Sequence, residues 1–406
     1  MAGLSARPSA YVLKNNGCKG AGVVVGWRRK MAGILAVCLL AGSMPVTARA
    51  DIDVSVSARS AVLMEAESGR ILYQKDAHTP RAMASTTKIM TALLAAERLD
   101  MQKDITVTAK AVMVEGTALG LRGGDKITAL DLITGLLLVS GNDAANVLAL
   151  EMADSQEAFA KLMNERAAAI GMTHTKFVTP SGLDADGHAS TAYDMALLAR
   201  EALKNETLAP IFAMKSASIR LGDPKRLVTV ANHNRLLQLY PDAIGLKTGF
   251  TKKAGRCLVS AARKDGVTFI VVTLNCPDDW DDHMNLYNAA FAKVESVDLP
   301  AAELPKLRVA GGVESAVELT AAAPPQVKVL QGDAARIVTR VDLPNFIWAG
   351  VDKGETVGWV RYLLDGKEIA RLPVKTAQVA EDRPVASYGG QLWRLFGRML
   401  EGLCTW

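Results

Sequence analysis

The sequence predicts an α/β chain of the α+β kind: an antiparallel sheet with a helical lobe, then a small all-β domain and a C-terminal amphipathic helix. Two pairs of short apolar runs, within 61–73 and 257–274, bracket a long stretch of mostly helical periodicity. Alternating runs between residues 327 and 374 have the period of strands. Residues 391–406 carry an apolar stripe at helical spacing. With 406 residues, half of them hydrophobic, the chain can bury more than one core.

Residues 1–50 read as a cleavable export leader. Arg28-Arg29-Lys30 precedes the apolar run Met31 to Ala41, and Ala48-Arg49-Ala50 supplies a small-x-small cleavage site. The run is short for a bilayer span, and a buried N-terminal helix is the alternative. This leader holds seven basic residues and no acidic ones, so the formal charge of +5 gives way to 40 basic against 42 acidic residues once it is removed. That balance leaves little support for a nucleic-acid partner. Cys18 and Cys38 belong to the leader, and the odd remainder of Cys257, Cys276 and Cys404 favours buried thiols over a disulfide framework. If Lys264-Asp265-Gly266 is a turn, Cys257 faces about residue 273, which disfavours a bridge to Cys276.

The first domain is expected over 51–296. Ala61 to Met64 and Arg70 to Tyr73 flank Glu67-Ser68-Gly69 as strand, turn and strand. From Ser85 onward Ile89, Leu93 and Leu94 recur at helical spacing, which sets Ser85 at a helix start. A mostly helical stretch follows, in which Thr128-Ala129-Leu130-Asp131 is a capping box. Ser140-Gly141-Asn142 interrupts the apolar pattern as a tight turn between two helices. Phe177 to Met195 is loop, followed by a helix to Leu203. Two apolar strands, Cys257 to Ala262 and Thr268 to Leu274, close the domain and bring the first and last strands together. Residues 297–380 form the small β-sandwich-like domain, with a hairpin turn at Asp365-Gly366. Residues 381–406 are linker and tail. Leu392, Leu395, Phe396, Met399, Leu400 and Leu403 share one face, Arg394, Arg398 and Glu401 the other, and Trp393 and Trp406 flank the stripe. That pattern suits a helix lying in a membrane interface, or one docked on its own β domain.

Three motifs stand in order: Ser85-Thr86-Thr87-Lys88, Ser140-Gly141-Asn142 and Lys247-Thr248-Gly249. A serine hydroxyl needs a base to become a nucleophile, and Lys88 lies one helical turn from Ser85. To act as that base the amine must be neutral part of the time, through desolvation and a neighbouring cation such as Lys247. Ser140 can relay the proton to a leaving amine, and Asn142 can hold the substrate amide. Lys247 and Thr248, ahead of the strand holding Cys257, offer a cation and a hydroxyl to a terminal carboxylate. Gly249 admits a substrate backbone to the strand edge, and the N–H groups of Ser85 and Phe250 are the expected oxyanion donors. Each motif alone has a plainer meaning, as a capped helix with a solvated lysine or a turn ahead of a strand. The set together is a kit for acyl transfer on a peptide with a free carboxylate end. No metal and no cofactor are expected: the histidines include no pair at i, i+4, and there is no Cys-x-x-Cys. His188 suits a loop brace better than a serine's partner.

These motifs, with Ser85 to Thr91, Leu138 to Ala145, Pro180 to Leu183, His188 to Met195 and Lys247 to Thr251, resemble the low-molecular-mass penicillin-binding proteins, specifically the serine-type D-Ala-D-Ala carboxypeptidases. The resemblance implies a β-lactamase/transpeptidase-like first domain, with Ser85 forming the acyl-enzyme, Lys88 its base, Ser140 the proton relay and Lys247 a substrate-binding cation. It implies peptidoglycan stem peptides as substrates and β-lactam antibiotics as covalent inhibitors. It places the protein at the outer face of the cytoplasmic membrane, held peripherally by the tail. Ile244 stands where many relatives have aspartate. A β-lactamase would need a deacylating base such as a loop glutamate, and Phe177 to Asp194 has none. A D,D-endopeptidase, a transpeptidase and a non-enzymatic penicillin sensor share the same residues.

Overall fold

A computed structural model describes residues 52–382. The leader and the amphipathic tail lie outside the described residues. The central element is a five-stranded antiparallel sheet of β1 (Ser60–Glu65), β2 (Ile71–Lys75), β3 (Ala243–Thr251), β4 (Gly255–Lys264) and β5 (Val267–Leu274), in the order β2-β1-β5-β4-β3. The first strands therefore pair with the last, as the order of elements predicted. Leu258 lies opposite Thr273 and Cys257 opposite Leu274, one residue from the expected register. Cys257 and Cys276 are free, buried thiols, and burial pushes them up to about 11 and about 12.

Alternation along the strands splits their side chains between two cores. Val62, Met64, Val259, Ala261, Ile270 and Val272 pack beneath the helical lobe, whereas Ala61, Leu63, Ala262, Phe269 and Val271 face the opposite layer. The lobe comprises α1 (Lys88–Arg98), α2 (Ala129–Leu138), α3 (Asn142–Met152), α4 (Gln156–Ala169) and α5 (Ala192–Ala202). The opposite layer is α6 (Asp279–Phe291). Burying one large apolar side chain is worth about 1.5–3 kcal/mol, so sandwiching β1, whose residues are all buried, is a major source of cohesion. Thr128 caps α2 as predicted, its hydroxyl accepting from Asp131 N at 3.1 Å.

Two features depart from the expected pattern. The lobe holds a four-stranded antiparallel sheet of 104–106, 126–128, 216–221 and 226–231, within and after a stretch read as mostly helical. Strands of three residues are too short to display a period. Lys247-Thr248-Gly249 stands ahead of the strand holding Cys257, as expected, but is itself part of a strand, β3, an edge whose two glycines disguise it.

The β domain contains a four-stranded sheet of 319–321, 367–376, 356–364 and 337–342, over a small core of Leu299, Val360, Tyr362 and Val374. Asp365 and Gly366 turn its hairpin with φ of 51° and 82°, the left-handed geometry a two-residue turn demands. Arg70 reaches Asp333 at 2.6 Å, and Lys367 pairs with Glu67, joining this domain to the β1–β2 end of the sheet.

Between the sheet and α6, His283 is wholly buried. Its Nδ1 lies 2.6 Å from Ser260 Oγ and its Nε2 2.9 Å from Thr273 Oγ1, while Tyr287 Oη lies 2.6 Å from Ser260 Oγ. Burial lowers His283 to about 3. The unfolded chain therefore binds a proton near pH 6.5 that the folded protein refuses until about pH 3. This group's contribution is complete above pH 6.5 and is lost as pH falls, by about 1.4 kcal/mol per pH unit. Thermal melts from pH 7 to 4 should show His283→Gln less stable at pH 7 and with a shallower acid limb; a parallel limb would contradict this assignment.

Candidate active site

A single turn of 3-10 helix, Ala84–Thr87, leads directly into α1. In that geometry side chains three apart eclipse one another, so Lys88 stands over Ser85. Lys88 Nζ lies 2.9 Å from Ser85 Oγ, 2.7 Å from Asn142 Oδ1 and 2.6 Å from the Ser181 carbonyl oxygen. The lysine is fully buried. Its pKa is driven well below the usual lysine range by desolvation first and by the Lys247 charge second, with Asp143 opposing them.

The three acceptors are not equivalent. The Asn142 amide oxygen and the Ser181 carbonyl can only accept. A neutral amine has two hydrogens and one lone pair, so those oxygens take both hydrogens. The lone pair is left facing the Ser85 hydroxyl, the one partner able to donate. Neutral Lys88 is thus oriented as a base toward Ser85.

Ser140 sits between α2 and α3 with φ of 65°, and Ala84, beside Ser85, has φ of 48°. Left-handed conformations at non-glycine residues cost of order 1–3 kcal/mol each, and both fall at the motif serines. Asn142 is the first residue of α3, and both ends of its amide are engaged: Oδ1 accepts from Lys88, and Nδ2 donates to Glu115 O at 2.6 Å. It is therefore a strut for Lys88 and for the loop at 115.

Lys247 is buried on β3 with its Nζ donating to Thr248 O at 3.0 Å. Burial lowers it to about 7. The missing Cβ of Gly249 would lie 3.0 Å from Ser85 N and 3.1 Å from Thr86 N. Gly249 therefore lets the sheet edge press against the serine turn itself. A Cβ at Gly182, with φ of 83°, would fall 1.9 Å from Ala84 O, so the loop after Pro180 is clamped to the same turn.

Ser85, Ser140, Thr248, Gly249 and Phe250 line one cleft of about 580 Å³ with Thr117, His233, Arg235 and Arg256. Lys88, Asn142 and Lys247 are buried behind its lining. A larger cleft, about 820 Å³, opens between the β1–β2 turn and the β domain but holds none of the motif residues. His188 acts as a brace. Its Nδ1 accepts from Val178 N at 2.9 Å, which leaves Nε2 to donate to Thr87 Oγ1 at 2.9 Å. Burial lowers it to about 4, in keeping with a neutral ring.

Asp143 was not singled out from the sequence as a site residue. Its buried carboxylate accepts from the N–H groups of Leu119, Gly120 and Leu121 at 2.8, 2.9 and 3.1 Å, fixing the loop that supplies Thr117 to the cleft. An acidic residue in the first turn of a helix that directly follows a motif was the available signal.

Known proteins share this architecture. The family description "D-alanyl-D-alanine carboxypeptidase" matches residues 45–278, and "Penicillin-binding protein 5, C-terminal domain" matches 301–381. The chain is 33% identical to the D-alanyl-D-alanine carboxypeptidase DacF of Bacillus subtilis, covering 78% of this chain and 84% of that one. It is 32% identical to the D-alanyl-D-alanine carboxypeptidase DacC of Escherichia coli, over 84% and 87%. The crystal structure of penicillin-binding protein 5 from Haemophilus influenzae superposes with a TM-score of 0.58 at 26% identity, covering 81% of this chain and 99% of that one. With its motif serine and lysine in contact in a fold shared with these relatives, the chain belongs to the D-alanyl-D-alanine carboxypeptidase family of penicillin-binding proteins.

Proposed function

We propose that this protein is a serine-type carboxypeptidase that removes the terminal D-alanine from peptidoglycan stem pentapeptides, and that β-lactams acylate the same serine. The observation that carries this reading is the buried Lys88 amine facing Ser85 Oγ at 2.9 Å. Lys88 takes the hydroxyl proton as Ser85 Oγ attacks the carbonyl carbon of the penultimate D-alanine. The N–H groups of Ser85 and Phe250 receive the oxyanion, a contribution of about 10²–10³ per donor in related chemistry. Ser140 relays that proton from Lys88 to the departing nitrogen, the C–N bond breaks, D-alanine leaves, and Lys88 is neutral again. Water then attacks the ester, with Lys88 accepting its proton and Ser85 recovering its own. Lys247 and Thr248 hold the terminal carboxylate throughout. Asn142 orients Lys88.

We place the protein on the outer face of the cytoplasmic membrane, exported by residues 1–50 and held peripherally by the stripe in 391–406. Among the described residues, no helix is long and apolar enough to cross a membrane, so the anchor rests on the tail's sequence pattern.

Ser85→Ala should abolish covalent penicillin labelling and lower D-alanine release from a diacyl-L-Lys-D-Ala-D-Ala peptide by more than about 10³-fold; release at the parent rate would refute the nucleophile. Mass spectrometry of the products should show hydrolysed tetrapeptide, whereas a peptide joined to an acceptor amine would identify a transpeptidase. The two lysines set opposite limbs of the pH profile. kcat/KM rises with pH as Lys88 loses its proton, and falls as Lys247, at about 7 in the free enzyme, loses the charge that holds the carboxylate. Lys247→Arg keeps a cation that does not titrate, so it should lose activity but also its alkaline limb near pH 7. An unmoved limb would assign that titration elsewhere. Truncation after Ala380 should shift the protein from membrane to soluble fractions, and an unchanged distribution would remove the tail as anchor.

A further inference from the structure

The β domain carries an exposed apolar patch that the reaction does not use. Within the strand Ile347–Trp348, Ile347 packs inward against Leu307, Val317 and Ala380. Its neighbours on either side face outward, Phe346 at 45% exposure and Trp348 at 70%. A solvated strand face ordinarily presents polar groups, and here it presents two aromatic rings. They meet edge to face with centroids 5.4 Å apart, an arrangement that orders the rings while leaving much of both in solvent. Val313 and Val379, from segments distant in sequence, are also exposed, at 49% and 47%.

Backbone hydrogen bonds gather these segments at one place. Val313 N donates to Glu381 O at 2.9 Å, Gly350 N to Ala380 O at 2.6 Å and Ala349 N to Ala310 O at 3.0 Å. Gly312 bridges to Asp382. The patch therefore lies around residues 379–382, beyond which the chain continues into 383–406.

We propose that Phe346, Trp348, Val313 and Val379 form a second lipid-contacting element that seats in the bilayer interface beside the tail. The proposal rests on the reading of the tail as a membrane anchor and extends it to the folded domain. A bilayer is the occupant the observations favour, because the patch adjoins the origin of a segment whose own apolar stripe is flanked by tryptophans. Glu314, Glu381 and Asp382 border the patch, so its attraction to a membrane is apolar rather than electrostatic. A tail already on the surface makes the patch's contact intramolecular, so a few side chains suffice to add measurable affinity. A single helix on a linker would leave the enzyme free to swing, whereas a second contact fixes how the β domain stands on the membrane.

The test uses the full mature chain and vesicles of phosphatidylcholine with phosphatidylglycerol, read by co-sedimentation. The double variant F346S/W348S should partition roughly tenfold more weakly, by the same factor at low and high salt, with penicillin acylation unchanged. The tail variant L395D/M399D should lose nearly all binding. Parent-like partition of F346S/W348S overturns the proposal, and parent-like partition of L395D/M399D overturns the anchor reading beneath it. Stronger partition of F346S/W348S would mean that the tail docks on the patch in solution. Loss of a dimer without vesicles would mean that a second copy does. Either result overturns the lipid assignment.

Discussion

Three segments distant in sequence enclose the Lys88 side chain, and the amine can occupy that place only because each supplies an oxygen. The serine turn, the first residue of α3 and the carbonyl of Ser181 surround Nζ within 3 Å. Burial of an ammonium without partners costs several kcal/mol, and Lys247 adds a second buried amine nearby. Asp143 offsets part of this from a distance while its oxygens are occupied by backbone donors. What remains is a lysine biased toward its neutral form. In the proposed reaction, that unfavourable charge arrangement is what makes Lys88 available as a base.

Close approach is the means by which that arrangement is held. Gly249 and Gly182 press the serine turn from two sides: at Gly182 a methyl group would collide with backbone, and at Gly249 it would crowd the backbone of the turn. Thr91 Oγ1 donates to Pro180 O at 2.6 Å and Thr87 meets His188, so the loop at 179–188 is tied along α1. Thr87 of the first motif and Thr91 just beyond it are thus fasteners, whereas Ser85 and Lys88 face each other at 2.9 Å. Left-handed Ala84 lies under the Gly182 clamp, and left-handed Ser140 joins α2 to α3.

Periodic segments were legible from the sequence. The strand pairs at both ends, the helix after Ser85, the cap at Thr128 and the Asp365-Gly366 hairpin all follow from patterns that only one structure satisfies. Pairing of the first strands with the last was legible from element order alone. What escaped were features with no local signature. The strands 104–106 and 126–128 depend on partners from 216–231, and β3 is interrupted by glycines whose purpose lies across the cleft. The roles of Asp143 and the two-ended engagement of Asn142 are properties of a tertiary loop contact. The motif serines and lysines were readable because their chemistry is unusual in combination, and the residues that aim them were not.

The edge strand β3 joins recognition to chemistry. An unpaired edge is ordinarily a liability, yet here it bears Lys247, the proposed cation for the substrate's end, and borders the turn of Ser85, the proposed nucleophile. Lys247 sits near 7 through burial alone, so on its own it is only partly charged at neutral pH. A carboxylate beside it favours the charged form. That charge in turn disfavours a proton on Lys88, the same influence that lowers Lys88 in the free protein. In the proposed reaction, a peptide with a free carboxylate would therefore help to prepare the base as it binds. A peptide blocked at its end would lose both the grip and this electrostatic assistance. Preference for a terminal residue then comes from the coupling of two buried amines as much as from the shape of the cleft.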